Sequence, residues 1–175
     1  KGLCADNDII LHLETADIAT TAKEKGFGTE EAGRIKRYGD LKKLAEEIGT
    51  TTVITGHHLD DDIETVLMNF ERGAGLNGLA GIKVRDGIFF RPLLNISKDE
   101  ILKYLDDHEI PYCIDETNFI DDVSRNDMRI NKIPQIEKIL PDFKDRAELA
   151  ISNLKASRLL IEGLVEYFLK DADVS

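Results

Sequence analysis

The residues best suited to chemistry sit together in TGHHLDDDIETV, Thr55–Val66, where two histidines run into three aspartates and a glutamate before the register turns apolar. Asp61 and Glu64 are three apart, so on a helix they share a face and could jointly hold one hard cation. Magnesium takes few carboxylates and completes its shell with water and phosphate oxygens, which points such a pair towards a nucleotide triphosphate. The same residues serve equally well as a helix start. Acids in a first turn complement the helix dipole, and Asp61 with Glu64 fits a capping box. On the motif alone both readings stay open. A transition metal suits it less, because imidazoles on adjacent residues of an extended stretch face opposite sides. At most one of His57 and His58 therefore faces a ligand crevice.

These side chains need a strand before them and a helix after them. TTVIT, Thr51–Thr55, is short and β-branched, as a buried strand is. A helix from about Asp60 to Glu71 carries Ile63, Val66, Leu67 and Phe70 on its inner face. In open α/β sheets the carboxyl end of such a strand is where ligands bind. Upstream, Ile9–Leu13 is a short β-prone run, Ala16–Gly28 is looser, and Thr29–Ile48 has helical spacing with Thr29 as N-cap and Gly49 as stop. Downstream, Arg72–Ile82 is punctuated by Gly73, Gly75 and Gly78, which suit either close approach to a ligand or ordinary turns. KVRDGIFFRPLL is expected to form a hairpin around Asp86-Gly87, and Ser97 with Glu100 a capping box opening a helix to about His108. DETNFIDDVSRND is polar and loop-like, a helix follows from Arg125 with an interruption at Pro134, and an amphipathic helix runs from Asp142 to Leu169. The alternation of strands and helices gives an α/β fold class, a partial doubly wound parallel sheet over residues 1–140 followed by a helical linker unit over 141–175.

Composition narrows the function classes. A chain of 175 residues with a net charge of −11 does not present a general nucleic-acid-coating surface, although a local basic patch is compatible with it. Cys4 and Cys113 are the two cysteines and lie far apart, which argues against a disulfide framework, a thiolate zinc site or an iron–sulfur cluster and fits a reducing cytoplasm. No apolar run is long enough to cross a bilayer and no signal-peptide pattern appears, so no membrane role is expected.

The histidine–aspartate block resembles the HHxxDDxxET region of the N-type ATP pyrophosphatases, the PP-loop family, and in particular its lysidine-forming branch. RIKRYGDLKKLAEEIG is similar to that branch's Arg-x-x-Arg-Tyr helix, and TGHHLDDDIETVLMNFERGAGLNGLAGI to its central block. RPLLNISKDEILKYLDDHEIPYCIDETN and SRNDMRINKIPQI resemble the segments that close its catalytic domain, and DFKDRAELAISNLKASRLLIEGLVEYF the helix opening a linker domain. The resemblance implies an ATP-dependent carbon–nitrogen ligase that adenylates C2 of the wobble cytidine of an isoleucine tRNA with a CAU anticodon and then joins L-lysine to it. It implies ATP and Mg2+ as cofactors, with Asp61 and Glu64 at the metal and the lysine, and His57 on the nucleotide. Arg37 and Arg34 would reach phosphate oxygens. Arg91, Arg125, Asn126 and Arg129 would contact tRNA or AMP, with helix capping and salt bridges to Asp121 or Asp122 as the structural alternative.

One block of that family is missing. No segment matches its Ser-Gly-Gly-x-Asp-Ser loop, where clustered backbone N–H groups hold a phosphate. GFGTEE, Gly26–Glu31, follows no strand and is a poor substitute. The expectation is a chain lacking the first part of the catalytic domain, inactive alone. Two other functions compete: tRNA 2-thiolation or another adenylating reaction on the same fold, and a non-catalytic tRNA-binding or interaction module. For the latter, the stripe Leu154, Leu159, Leu160, Leu164, Val165 and Phe168 would either form a homodimer or pack on its own domain.

Overall fold

The computed structural model describes residues 2–26, 28–113 and 123–172. They divide into two units, Lys1–Gly49 and Thr50–Ser175. The polar loop expected around Asp115, Asn118, Asp121 and Asp122 lies outside the described residues.

The first unit is helical: α1 (Gly2–Asp6), α2 (Ile18–Lys25) and α3 (Thr29–Glu47). Helix α2 occupies the stretch expected to be looser. Asp17 starts it, its carboxylate accepting from the Thr20 amide at 3.1 Å and the Thr20 hydroxyl at 2.7 Å, which supplies the donors a helix start leaves unmatched. Helices α2 and α3 pack together, and Ala22 of α2 and Ala32 and Ala45 of α3 are buried. The strand expected at Ile9–Leu13 does not form: β-propensity needs a neighbouring ladder, and among the described residues none pairs with it.

The second unit carries the sheet, with β1 (Val53–Ile54), β2 (Arg85–Asp86) and β3 (Phe89–Phe90) in the order β1-β3-β2. Strand β1 runs parallel to β3, Val53 opposite Phe89, and β2 runs antiparallel to β3 with Asp86 opposite Phe89. The sheet is thus mixed rather than wholly parallel, because the hairpin at Asp86-Gly87 folds an antiparallel strand onto its edge. Between β1 and the hairpin lie α4 (Leu59–Glu71) and α5 (Leu76–Leu79). Gly78 in α5 packs where a Cβ would meet that of Ala74 at 2.6 Å, so its small size serves packing.

Helix α6 (Lys98–Asp107) opens on the expected capping box: Ser97 Oγ accepts from the Glu100 amide at 3.2 Å, and Glu100 Oε2 from the Ser97 amide at 2.8 Å. Then α7 (Val123–Asp127) runs through a π-helical turn, Met128–Lys132, into α8 (Ile133–Ile139). The irregularity precedes Pro134 instead of falling on it. Proline lacks an N–H and its ring crowds the carbonyl four residues back, and a wider turn there absorbs both. Helix α9 (Phe143–Ala172) follows. Leu59 and Ile63 of α4 pack with Met128, Ile133 and Ile151 into the core, so the first half of α9 shares one apolar centre with α4.

Candidate active site

Strand β1 ends at Ile54, and Thr55–His58 lead directly into α4, which places the histidine–aspartate block at the carboxyl end of a parallel strand. His58 is the N-cap residue, and its amide donates to Asp61 Oδ2 at 3.0 Å. Asp61 therefore does cap the helix, but onto His58 and with one oxygen only. Successive helical residues point about 100° apart, and the four acids separate accordingly.

Asp60 accepts from the Lys98 amide at 2.8 Å and pairs with Lys144 of α9 at 2.9 Å. Burial pushes its carboxyl upward, but the Lys98 amide and the Lys144 ammonium outweigh that and hold it below its ordinary 3.8. Asp62 is fully buried, accepting from the Ile82 amide at 2.6 Å and pairing with Lys155 of α9 at 2.6 Å. Glu64 is 1% exposed beneath two guanidinium groups. Arg129 Nε donates to its Oε1 at 2.6 Å, while Arg125 Nε and Arg129 Nη2 both donate to Oε2 at 3.0 Å. The hydrogen bonds that Arg129 donates to Glu64 hold it more firmly protonated than usual, against the opposing effect of burial.

One carboxylate oxygen of the run differs from the rest. Asp61 Oδ1 has no hydrogen bond among the described residues; its nearest cations are Arg129 Nη2 at 3.8 Å and Arg125 Nη2 at 4.0 Å. It opens on a cleft of about 450 Å³ whose lining includes His58, Asp60, Glu64, Lys98, Arg129, Glu137 and Lys144. The cleft therefore sets the Asp61 carboxylate beside the Arg129 guanidinium, with the Asp99 and Glu137 carboxylates also on its wall. That pairing suits a substrate bearing both a cation and phosphate oxygens.

The donor set fits magnesium in part. Among the described residues no three His, Cys, Asp or Glu side chains gather into a metal cage. Asp61 Oδ1 could supply one ligand, with the remainder from substrate phosphate and water, as magnesium prefers. Glu64 fits less well than the sequence suggested, since both its oxygens already accept from guanidinium groups.

The other sequence candidates fall as follows. His57 is oriented by Thr55, whose hydroxyl lies 2.9 Å from Nδ1, and it is His58 that lines the cleft. Arg125, Asn126 and Arg129 lie together on α7 and the π-helical turn, and the two arginines join the site through Glu64. Arg91 does not present its guanidinium to solvent: it is 3% exposed and donates to the Lys83 carbonyl at 2.7 Å, so it ties down the chain entering the hairpin. Arg34 and Arg37 are exposed on α3 of the first unit, with the Arg34 guanidinium 5.6 Å from the Tyr38 ring centre.

Lys98, Lys144 and Lys155 were not anticipated. Lys98 acts through its backbone amide and Lys144 pairs across 84 residues of sequence, so neither leaves a local signature. Lys155 did leave one. Ile151, Lys155 and Arg158 are spaced i, i+4, i+7 on one face of α9, and two cations on the face that carries a core isoleucine imply buried anions opposite.

A family model described as a PP-loop domain matches residues 1–136. Together with the strand–loop–helix placement of the acidic block, this makes the chain a member of the PP-loop family. The chain is similar to tRNA(Ile)-lysidine synthases in particular. It is 34% identical over 168 residues to that of Parabacteroides distasonis, covering 96% of this chain and 38% of the relative. It is 38% identical over 170 residues to that of Chlorobaculum tepidum, covering 91% of this chain and 51% of the relative. It is 38% identical over 145 residues to that of Bacteroides thetaiotaomicron, covering 83% and 34% respectively. The chain thus spans between about a third and a half of the length of these relatives. Among solved structures, the U34-tRNA thiolase NcsA from Methanococcus maripaludis shares the fold, with a TM-score of 0.58 at 18% identity over 89% of this chain and 54% of that one.

Proposed function

We propose that a polypeptide carrying this chain uses ATP to activate C2 of the wobble cytidine of an isoleucine tRNA with a CAU anticodon and joins lysine there. Two observations support this: the similarity to lysidine synthases over most of the chain, and the carboxylate oxygen of Asp61 directed beside two guanidinium groups. In the first step the cytidine O2 attacks the α-phosphorus and pyrophosphate leaves. In the second, the lysine amine attacks C2 and AMP leaves with the bridging oxygen. Magnesium, when bound, neutralises triphosphate charge. Asp61 holds the lysine ammonium and takes its proton, making the amine nucleophilic. Arg125 and Arg129 meet the phosphate oxygens of the substrate, and Glu64 keeps their guanidinium planes in place. By the resemblance His57, oriented by Thr55 and not part of the cleft wall that His58 lines, contacts the nucleotide, and Arg34 and Arg37 serve its phosphates.

By the same reading the 175 residues alone bind ATP weakly and form no lysidine, since they contain no Ser-Gly-Gly-x-Asp-Ser stretch. Among the described residues no helix is long and apolar enough to cross a membrane, and a tRNA substrate places the work in the cytoplasm. A homodimer is supported by the exposed end of α9, where Leu159, Leu160, Leu164, Val165 and Phe168 face solvent. The test is product analysis with the complete polypeptide, ATP, labelled lysine and a CAU-anticodon isoleucine tRNA. Lysine appearing on the wobble cytidine with release of AMP and pyrophosphate is expected. Sulfur transfer without lysine use would overturn the proposal.

A further inference from the structure

Asp62, like Asp60, has no part in the proposed chemistry, yet it is the most enclosed aspartate of the run. Both its oxygens are engaged from outside α4, Oδ1 by the Ile82 amide at 2.6 Å and Oδ2 by the Lys155 ammonium at 2.6 Å. The backbone of Gly81 closes over it so tightly that a Cβ there would lie 2.2 Å from Oδ1. Three segments distant in sequence therefore converge on one carboxylate: the first turn of α4, the chain after α5, and the middle of α9. Lys155 is the cation that balances it, and both partners are buried or nearly so.

Asp62 adjoins Asp61 and precedes Glu64 by two residues on the same helix, so its azimuth about the α4 axis sets theirs. Side chains reach roughly 5–6 Å from a helix axis, and a rotation of about 20° would swing a carboxylate by roughly 2 Å. A displacement of about 1 Å at a reacting centre can cost on the order of a hundredfold in rate. We infer that Lys155 is a positioning residue: through Asp62 it fixes the rotation of α4 and hence the direction of Asp61 and Glu64. Helix α9, whose first turn already lends Lys144 to the cleft, thereby controls the geometry of the acidic run from its middle. This inference rests on the ligase reading of the site only where turnover is the readout.

The test compares Lys155→Met, Lys155→Arg and the double variant Asp62→Asn/Lys155→Met in the complete polypeptide. Steady-state lysine ligation and hydrogen exchange of the 59–66 amides are both measured. Lys155→Met is expected to lower kcat about tenfold or more with KM for ATP changed by less than about twofold. Lys155→Arg, which keeps the charge, is expected to recover most of it. The double variant removes the lone buried charge and so regains thermal stability, but without the strap its kcat stays low and its 59–66 amides exchange faster. A double variant that regains kcat together with stability would show Lys155 to be merely structural and overturn the inference. So would Lys155→Met turning over normally. Should the parent protein ligate no lysine, the ligase reading fails by itself. The exchange data then decide separately: faster exchange of 59–66 in the double variant upholds the strap, and unchanged exchange refutes it.

Discussion

Replacing Gly81 by alanine tests the packing around the acidic run with a magnitude that can be worked from the structure. Two costs arise. Gly81 has φ +65, a left-handed conformation that costs an alanine about 1–2 kcal/mol. Its new methyl would also lie 2.2 Å from Asp62 Oδ1 and 2.9 Å from Cγ. The methyl and the carboxylate cannot both stay. Asp62 is 0% exposed and cannot retreat into water, so its pair with Lys155 or its bond from Ile82 must break. Breaking a buried ion pair costs about 3–5 kcal/mol. Gly81→Ala is thus expected to destabilise by about 3 kcal/mol if the bond from Ile82 alone is lost and by about 4 kcal/mol or more if the pair with Lys155 goes, much of the total stability of an ordinary domain. Gly87→Ala provides the control. Gly87 also has positive φ, +58, but no atom lies within 4 Å of its would-be Cβ, so only the conformational cost of about 1–2 kcal/mol applies. Urea unfolding of both variants reads the difference. Equal losses for the two would refute the claim that Asp62 is locked against the 81–82 backbone.

The remaining expectations concern the other ion pairs of the acidic run and the cap of α6. Asp60 has its folded pKa below 3.8, so the stability it contributes is present above that value and is lost as the pH falls through the folded one. Asp60→Asn should therefore flatten the acid limb of a stability–pH curve below about pH 4, and an unchanged limb would contradict the Lys98 and Lys144 contacts. Lys144 is opposite in sign: burial lowers its pKa but Asp60 raises it further, to above 10.5. Its contribution is lost only as the pH climbs past the folded value, which Lys144→Met should show as a flatter alkaline limb. A double-mutant cycle between Glu64→Gln and Arg129→Met should give a coupling of about 1.5 kcal/mol, the low end for a charged hydrogen bond because solvent screens it. The Arg129 side chain is 41% exposed. A coupling near zero would place Arg129 elsewhere in solution. Ser97→Ala should cost about 1 kcal/mol by removing the cap of α6, read as a lower thermal midpoint.

Features encoded by near neighbours in sequence were legible without coordinates. The capping box of Ser97 and Glu100, the hairpin at Asp86-Gly87 and the strand-then-helix around the histidines each depend on local backbone chemistry. The strand at Ile9–Leu13 was misjudged because apolar, β-prone composition does not say whether a ladder partner exists. The acidic run was legible as a site but not as a set of distinct roles. Asp60, Asp61, Asp62 and Glu64 look alike in sequence, and only their partners tell them apart. Those partners, Lys98, Lys144, Lys155, Arg125 and Arg129, come from 38 to 93 residues away. Arg91, which the resemblance implies at tRNA or AMP with a structural role as the alternative, is buried and donates to the Lys83 carbonyl, a contact no neighbouring residue in the sequence signals.

The central claim is that Asp61, alone among the four acids of the run, keeps an oxygen for substrate. Its most direct test is lysine incorporation into the wobble cytidine of a CAU-anticodon isoleucine tRNA by the complete polypeptide, with and without Asp61→Asn. The substitution keeps the shape and removes the charge and the proton acceptor, so ATP-dependent incorporation is expected to fall by about a hundredfold or more, within the range for losing a general base. Folding should be little changed, since the Asn oxygen can still accept from the His58 amide. Incorporation by Asp61→Asn at the parent rate, or none by the parent protein, would contradict the account.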